Sequence, residues 1–161
     1  MATIVVETGA RVSGANSYVS EATLTTYATD RGVTISGDTA ELLIQAMDYI
    51  ESLEFIGLRY TEDQELEWPR SGAKKKRIYY YDTDEIPQEL KDGLCEVALA
   101  IDADNSPLSD LERRTEREKV GDLEVTYGSG ALSATVVRKI NAKLKRLLSA
   151  DYGLNFTVRK A

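Results

Sequence analysis

Apolar residues recur at helical spacing in three long stretches of this chain, and this pattern limits the possible folds more than any other feature. Over residues 39–53 they fill one broad face and leave the other to acidic and amide side chains. A similar stripe covers about 87–104, and a third covers about 133–150. Each such helix must bury its stripe against another element. With a shorter helix over about 21–31, the sequence predicts a small helical bundle.

The segments between these helices supply little regular structure. Residues 116–127 alternate in polarity around a Gly-Asp pair, which predicts a short β-hairpin. Residues 58–84 show no periodicity and are expected to form a loop. The expected fold class is therefore mainly α: a small helical bundle with a short β-hairpin and extended terminal arms. We expect one domain overall, with a helical body over 1–132 and a basic C-terminal helix and tail over 133–161.

The composition argues against an enzyme. The chain contains no histidine, which is the usual general base near neutral pH and the commonest metal ligand. Its single cysteine, Cys95, excludes an internal disulfide and leaves zinc and iron–sulfur sites almost without ligands. We therefore expect no catalytic residue, no cofactor and no metal site. No apolar run is long enough to cross a membrane and no secretory signal is recognisable, so the sequence predicts a cytoplasmic product.

Charge is unevenly distributed along the chain. The net formal charge is −7, but the segment from residue 135 to the end carries +6 and the remainder −13. A basic tail on an acidic body indicates a partner for the tail, and a solvated helix face is the alternative. The last helix either leaves the body as an arm or closes the subunit's own core with its apolar stripe. The candidate partner-binding residues are Arg138, Lys139, Lys143, Lys145, Arg146, Tyr152, Phe156, Arg159 and Lys160.

Residues 74–81 combine a basic run with three consecutive tyrosines. Basic side chains neutralise phosphates and aromatic rings stack on bases, so this segment is compatible with nucleic-acid binding. Because the chain as a whole is acidic, a charged loop that contacts another protein is the preferred interpretation. Trp68 is as compatible with a core position as with an interface anchor. The candidate residues for a subunit or tail interface are Trp68, Arg70, Lys74, Lys75, Lys76, Arg77, Tyr79, Tyr80, Tyr81 and Leu99.

Four motifs follow one another along the chain. They are Gly14-Ala15-Asn16-Ser17-Tyr18-Val19, Leu66-Glu67-Trp68-Pro69-Arg70-Ser71-Gly72, Ile86-Pro87-Gln88-Glu89-Leu90-Lys91, and Lys119-Val120-Gly121 leading to Tyr127. Taken together, they resemble phage proteins often labelled DnaT-like single-stranded-DNA-binding proteins. That group is similar to the head-completion or adaptor proteins of tailed bacteriophages. The resemblance spans most of the chain and is most specific at the Trp-Pro-Arg element.

The resemblance implies a mainly helical structural adaptor that forms a ring, commonly a dodecamer, below the portal at the head–tail junction of the virion. Its partners would be further copies of itself, the phage portal protein and a downstream tail or stopper protein, while duplex DNA passes without specific binding. Such adaptors dock on the portal through terminal arms, so the basic residues of the last helix and tail become portal-binding candidates. The alternative is a phage replication accessory protein that binds single-stranded DNA through residues 74–77 and the final helix.

Overall fold

The computed structural model describes most of the chain. The described residues are 2–76, 78–104, 117–120, 123–126 and 132–149, without the side chains of 117–120, 123–126 and 132–137. Four helices are present in them: α1 (Glu21–Thr29), α2 (Thr39–Glu51), α3 (Gln88–Asp102) and α4 (Leu132–Leu144). These are the four helices that the apolar periodicity predicts, although α4 ends about six residues earlier than expected.

The two N-terminal helices begin at side chains that accept backbone hydrogen bonds. The hydroxyl of Ser20 accepts from the N–H of Thr23 at 3.2 Å. The carboxylate of Asp38 accepts from the N–H groups of Ala40 and Glu41, at 3.0 and 3.1 Å. Free N–H groups at a helix start are costly unless they find such acceptors, so these residues fix where α1 and α2 begin.

The described chain also contains short antiparallel strands, and the expectation of a mainly α fold is wrong. Three two-stranded sheets accompany the helices. They pair β1 (Leu58–Arg59) with β2 (Arg70–Ser71), β3 (Lys74–Lys76) with β4 (Tyr79–Tyr80), and β5 (Arg117–Val120) with β6 (Leu123–Thr126). The last pair is the hairpin predicted within 116–127. The first two pairs lie in the supposed loop, where strands of two or three residues are too short to show an alternating pattern.

The N-terminal segment lies against the body and is not an extended arm. The N–H of Val5 donates to the Asn16 side chain at 2.8 Å, and the N–H of Glu7 donates to the Ser17 carbonyl at 2.8 Å. The buried carboxylate of Glu7 accepts three further backbone hydrogen bonds from the turn that follows it. The expected N-terminal arm is therefore a second error in the predicted fold class.

The last helix packs into the core through a close crossing with α3. A Cβ atom added at Gly93 would lie 2.5 Å from the Leu144 side chain, so glycine allows α4 to approach α3 closely. Ile140, Leu144 and Leu147 are all buried. The backbone beyond α4 is also held, because the N–H of Ile56 donates to the Leu147 carbonyl at 2.8 Å. The apolar stripe of the last helix therefore closes the subunit's own core, which is the second of the two arrangements that the sequence allows. Residues 150–161, the predicted tail, lie outside the described residues.

A buried polar network fixes the Trp-Pro-Arg element against α2. The hydroxyl of Tyr18 donates to Glu51 at 2.6 Å and accepts from the N–H of Trp68 at 3.1 Å. The second oxygen of Glu51 accepts from the N–H of Glu67 at 2.8 Å. Burial raises the pKa of Glu51, and these hydrogen bonds oppose that shift. The peptide bond between Trp68 and Pro69 is cis.

Arg70 holds the neighbouring turn through its guanidinium. Its nitrogens donate to the carbonyls of Phe55, Ile56 and Gly57 at 2.9 to 3.3 Å, and it pairs with the Glu67 carboxylate. A planar guanidinium can serve several carbonyls at once, which an ammonium group cannot do in this geometry. The Trp-Pro-Arg element is thus structural, since its Arg70 lies in β2 and ties that strand to residues 55–57.

Candidate functional site

The residues that the sequence proposes for an interface differ widely in how much of each side chain is exposed. Trp68 is fully buried, and Arg70 and Tyr81 are only 7% and 3% exposed, so these three are not on the surface available to a partner. Tyr79 and Tyr80, in contrast, are 66% and 53% exposed. The described lysines of the basic run are exposed as well. Arg77 lies outside the described residues.

The exposed residues belong to the β3–β4 hairpin, whose base is anchored in the core. The N–H of Tyr81 donates to the Ala73 carbonyl at 2.9 Å, and Ala73 is fully buried. The Tyr81 ring meets Trp68 edge-on, with 5.6 Å between ring centroids. Such aromatic contacts stabilise beyond the area they bury. The hairpin therefore projects from a rigid base, although its own strands are short.

The register of the hairpin separates its two exposed tyrosines. Lys76 lies opposite Tyr79, and Lys74 lies opposite Tyr80, with an irregularity at Lys75 between them. Residues directly opposite each other share a face of the sheet, and successive residues of a strand point to opposite faces. Tyr79 and Tyr80, as successive residues of β4, therefore point to opposite faces, and Lys76 is the cross-strand neighbour of Tyr79.

An open groove of about 790 Å³ runs along this hairpin. Its lining residues are Lys74, Lys75, Lys76, Ile78, Tyr79 and Arg146. Arg146 comes from the turn just after α4, seventy residues away in sequence from Lys76. Four of the six lining residues are basic, so the groove is a local positive site on an acidic protein. Within the described residues, no carboxylate lies within ion-pairing distance of Lys74, Lys76 or Arg146.

Lys75 differs from the other lysines of the groove. Its ammonium nitrogen lies 2.6 Å from a carboxylate oxygen of Glu85 and 5.1 Å from the centroid of the Tyr81 ring. The hydrogen bond to Glu85 raises the pKa of Lys75. Because its charge already has a partner, Lys75 supports the hairpin and adds less positive potential to the groove than its neighbours do.

The basic residues of the last helix do not form one surface. Lys143 lies 3.8 Å from the Asp92 carboxylate, and Lys139 lines a different groove with Arg31 and Glu96. Leu99, another proposed interface residue, is half-buried and lines that second groove. Arg138 and Lys145 are exposed. The remaining candidates in the tail, Tyr152, Phe156, Arg159 and Lys160, lie outside the described residues.

Other reactive or binding features are few in the part of the chain that the structure describes. The thiol of Cys95 is buried, and burial raises its pKa to about 12, so it stays protonated and unreactive at neutral pH. A groove of about 500 Å³ beside α1 is lined by uncharged residues between Thr25 and Thr39. The described side chains include no cluster of three metal-binding groups, and no described helix is long and apolar enough to cross a membrane.

Sequence reasoning identified the lysines and tyrosines of the groove but missed Arg146 as their neighbour, Ile78 as a lining residue and Glu85 as the partner of Lys75. The sequence grouped Arg146 with the other basic residues of the last helix, since nothing local distinguishes it from them. Its position beside the hairpin follows from the packing of α4 on α3.

One family model matches this chain over residues 2–161, which is nearly its whole length. Its description is "Putative DnaT-like ssDNA binding protein". No curated protein and no solved structure matches the chain.

Proposed function

Because the chain belongs to the family of DnaT-like ssDNA binding proteins, we propose that it binds single-stranded DNA in the groove of the β3–β4 hairpin. The observation that carries the proposal is the juxtaposition of Lys74, Lys76 and Arg146. All three are exposed, and none has an acidic partner within the described residues. Groups of this kind neutralise backbone phosphates and release the counterions condensed on them.

The acidic body does not prevent such binding. Charges that lie more than about 8 to 10 Å away are largely screened at physiological salt, so a phosphate in the groove responds mainly to the nearest residues. The net charge of −7 therefore limits long-range attraction more than it limits contact. We expect modest affinity that depends strongly on salt.

A matched pair of triple variants tests this function. Lys74→Ala/Lys76→Ala/Arg146→Ala removes the groove charges, while Arg138→Ala/Lys139→Ala/Lys145→Ala removes the same charge from exposed positions of the last helix and the turn after it. Fluorescence anisotropy with a labelled oligo-dT should show binding by the wild type and the control, and its loss in the groove variant. Equal binding by both variants, or no binding by the wild type at low salt, would contradict the proposal.

A second candidate function is the ring-forming adaptor of the phage head–tail junction, to which the motifs show a resemblance. One observation favours it: Leu58, in β1, and Ile78, between β3 and β4, are 74% and 76% exposed. Large apolar residues exposed in this way are often covered by a partner. The partners would be further copies of the chain, the portal protein and a tail or stopper protein, and the protein would reside in the virion. The acidic body would suit a channel through which duplex DNA slides without sticking.

Coexpression with the portal protein of the same phage tests this second function. The adaptor predicts a ring on the portal, visible by electron microscopy, which Leu58→Asp/Ile78→Asp should abolish. The groove variant Lys74→Ala/Lys76→Ala/Arg146→Ala serves as the control and should leave assembly intact. Absence of any portal complex with the wild type would exclude this function.

A further inference from the structure

We propose that Tyr79 is the residue on which a base stacks and that the hairpin offers only this face to a nucleic acid. The inference rests on the proposed binding of single-stranded DNA. It assigns different roles to the three consecutive tyrosines, which the sequence cannot distinguish. Tyr79 contacts the base, Tyr81 anchors the hairpin, and Tyr80 faces away from the groove.

The geometry of the hairpin favours Tyr79 over Tyr80. Tyr79 lines the groove and lies opposite Lys76, while Tyr80, the next residue of β4, points to the other face and does not line the groove. Lys74 and Arg146 line the same groove. A base on the Tyr79 ring would therefore have its phosphates near the three cations Lys74, Lys76 and Arg146. Aromatic stacking combined with backbone neutralisation is the usual way in which proteins hold single strands without reading sequence.

Tyr81 and Lys75 maintain the hairpin. The Tyr81 ring is buried against Trp68, and Lys75 spans from this ring to Glu85. The Tyr81 ring is therefore not available to stack on a base, and the charge of Lys75 is held by Glu85.

The same geometry selects unpaired bases. In a duplex both faces of a base are covered by its neighbours in the stack, so a protein ring gains contact only after unstacking, which costs a few kcal/mol per step. A flexible single strand can turn a base onto Tyr79 while its backbone follows the cations. The ligand class is therefore an unstacked single strand with little sequence preference, because every base presents a face.

The experiment compares oligo-dT with an abasic oligonucleotide of the same length and charge, in anisotropy titrations at fixed salt. The wild type should bind oligo-dT more tightly, by roughly 5- to 150-fold if one base stacks. Tyr79→Ala should remove this preference while leaving the weaker binding of the abasic strand unchanged. Tyr79→Phe should restore the preference, since stacking needs the ring and not the hydroxyl. Tyr80→Ala, a matched loss of an exposed ring, should behave as the wild type.

Each result has a defined meaning. Equal affinity of the wild type for both oligonucleotides would overturn the stacking role and leave the phosphate contacts intact. An equal loss in Tyr79→Ala and Tyr80→Ala would overturn the assignment to one face. Binding of neither oligonucleotide by the wild type would refute the proposed function itself. Circular dichroism of each variant checks the fold, and the abasic titration shows that the groove is still formed.

Discussion

The salt dependence of binding measures directly how many groove residues contact phosphates. For single strands, each neutralised phosphate contributes about −0.7 to the slope of log K against log salt concentration. Contacts from Lys74, Lys76 and Arg146 therefore predict a slope of about −2 for the wild type. Between 50 and 200 mM salt the affinity should fall by about 18-fold.

Single substitutions should change this slope by predictable steps. Arg146→Ala should make the slope shallower, about −1.4, so that the same salt increase weakens binding by only about 7-fold. Glu85→Gln should act in the opposite direction. It releases Lys75 from its 2.6 Å ion pair and makes a fourth cation available, so the slope should become steeper, about −2.8. Lys139→Ala, which removes a charge from a different groove, should leave the wild-type slope unchanged.

Anisotropy titrations of labelled oligo-dT at five or so salt concentrations give each slope. Equal slopes for Arg146→Ala and Lys139→Ala would contradict this prediction, because the groove would then have no special part in binding. An unchanged slope of about −2 in Glu85→Gln would show that Lys75, once released from its ion pair, still contacts no phosphate.

Three further predictions concern the scaffold that positions the groove. Gly93→Leu should destabilise the protein by about 3 kcal/mol in urea unfolding, because the close crossing with Leu144 leaves no room for a side chain; an unchanged midpoint would show that α4 does not pack there. Arg70→Lys should cost about 2 kcal/mol or more, since one ammonium group cannot serve the three carbonyls that the guanidinium reaches, and a change under 0.5 kcal/mol would refute that role. Burial raises the folded-state pKa of Glu51 above its unfolded value, so the native state binds more protons and its stability falls as pH rises from the unfolded pKa through the raised one. Glu51→Gln does not titrate, so its stability relative to the wild type should rise with pH through that window, and a pH-independent difference would contradict the shift.

The helices could be predicted because their signals are local. The apolar stripe of residues 39–53 repeats at the helical period, and the Asp38 carboxylate satisfies the N–H groups where α2 begins. The segment 58–84 gave no such signal. Its strands are stabilised by a buried Trp68 and by Tyr81 packed on it, and these contacts depend on the tertiary structure.

The sequence showed which residue types the candidate site contains but not how they are arranged in space. The run of lysines and tyrosines was recognised, but the acidic charge of the whole chain favoured a protein interface. What decides the local potential is which carboxylates lie close, and only Glu85 forms an ion pair with the described part of the run. The irregularity at Lys75 shifts the strand register. The pairing of Lys76 with Tyr79 could therefore not be predicted by counting residues along the two strands.

Three phosphate contacts and one stacked base make a weak site, and this weakness bears on how the protein would act. A single groove at physiological salt would hold a strand only transiently, because counterion release from three phosphates supplies little affinity there. Copies of the chain placed side by side would bind one strand through many grooves, and the effective concentration of each groove would raise the overall affinity without any new contact. Leu58, in β1, is 74% exposed and does not line the groove, so a second copy could cover it and leave the groove open. Both candidate functions therefore predict self-association of the chain. An oligomer that binds oligo-dT would support the first function, and a ring on the portal that ignores it would support the second.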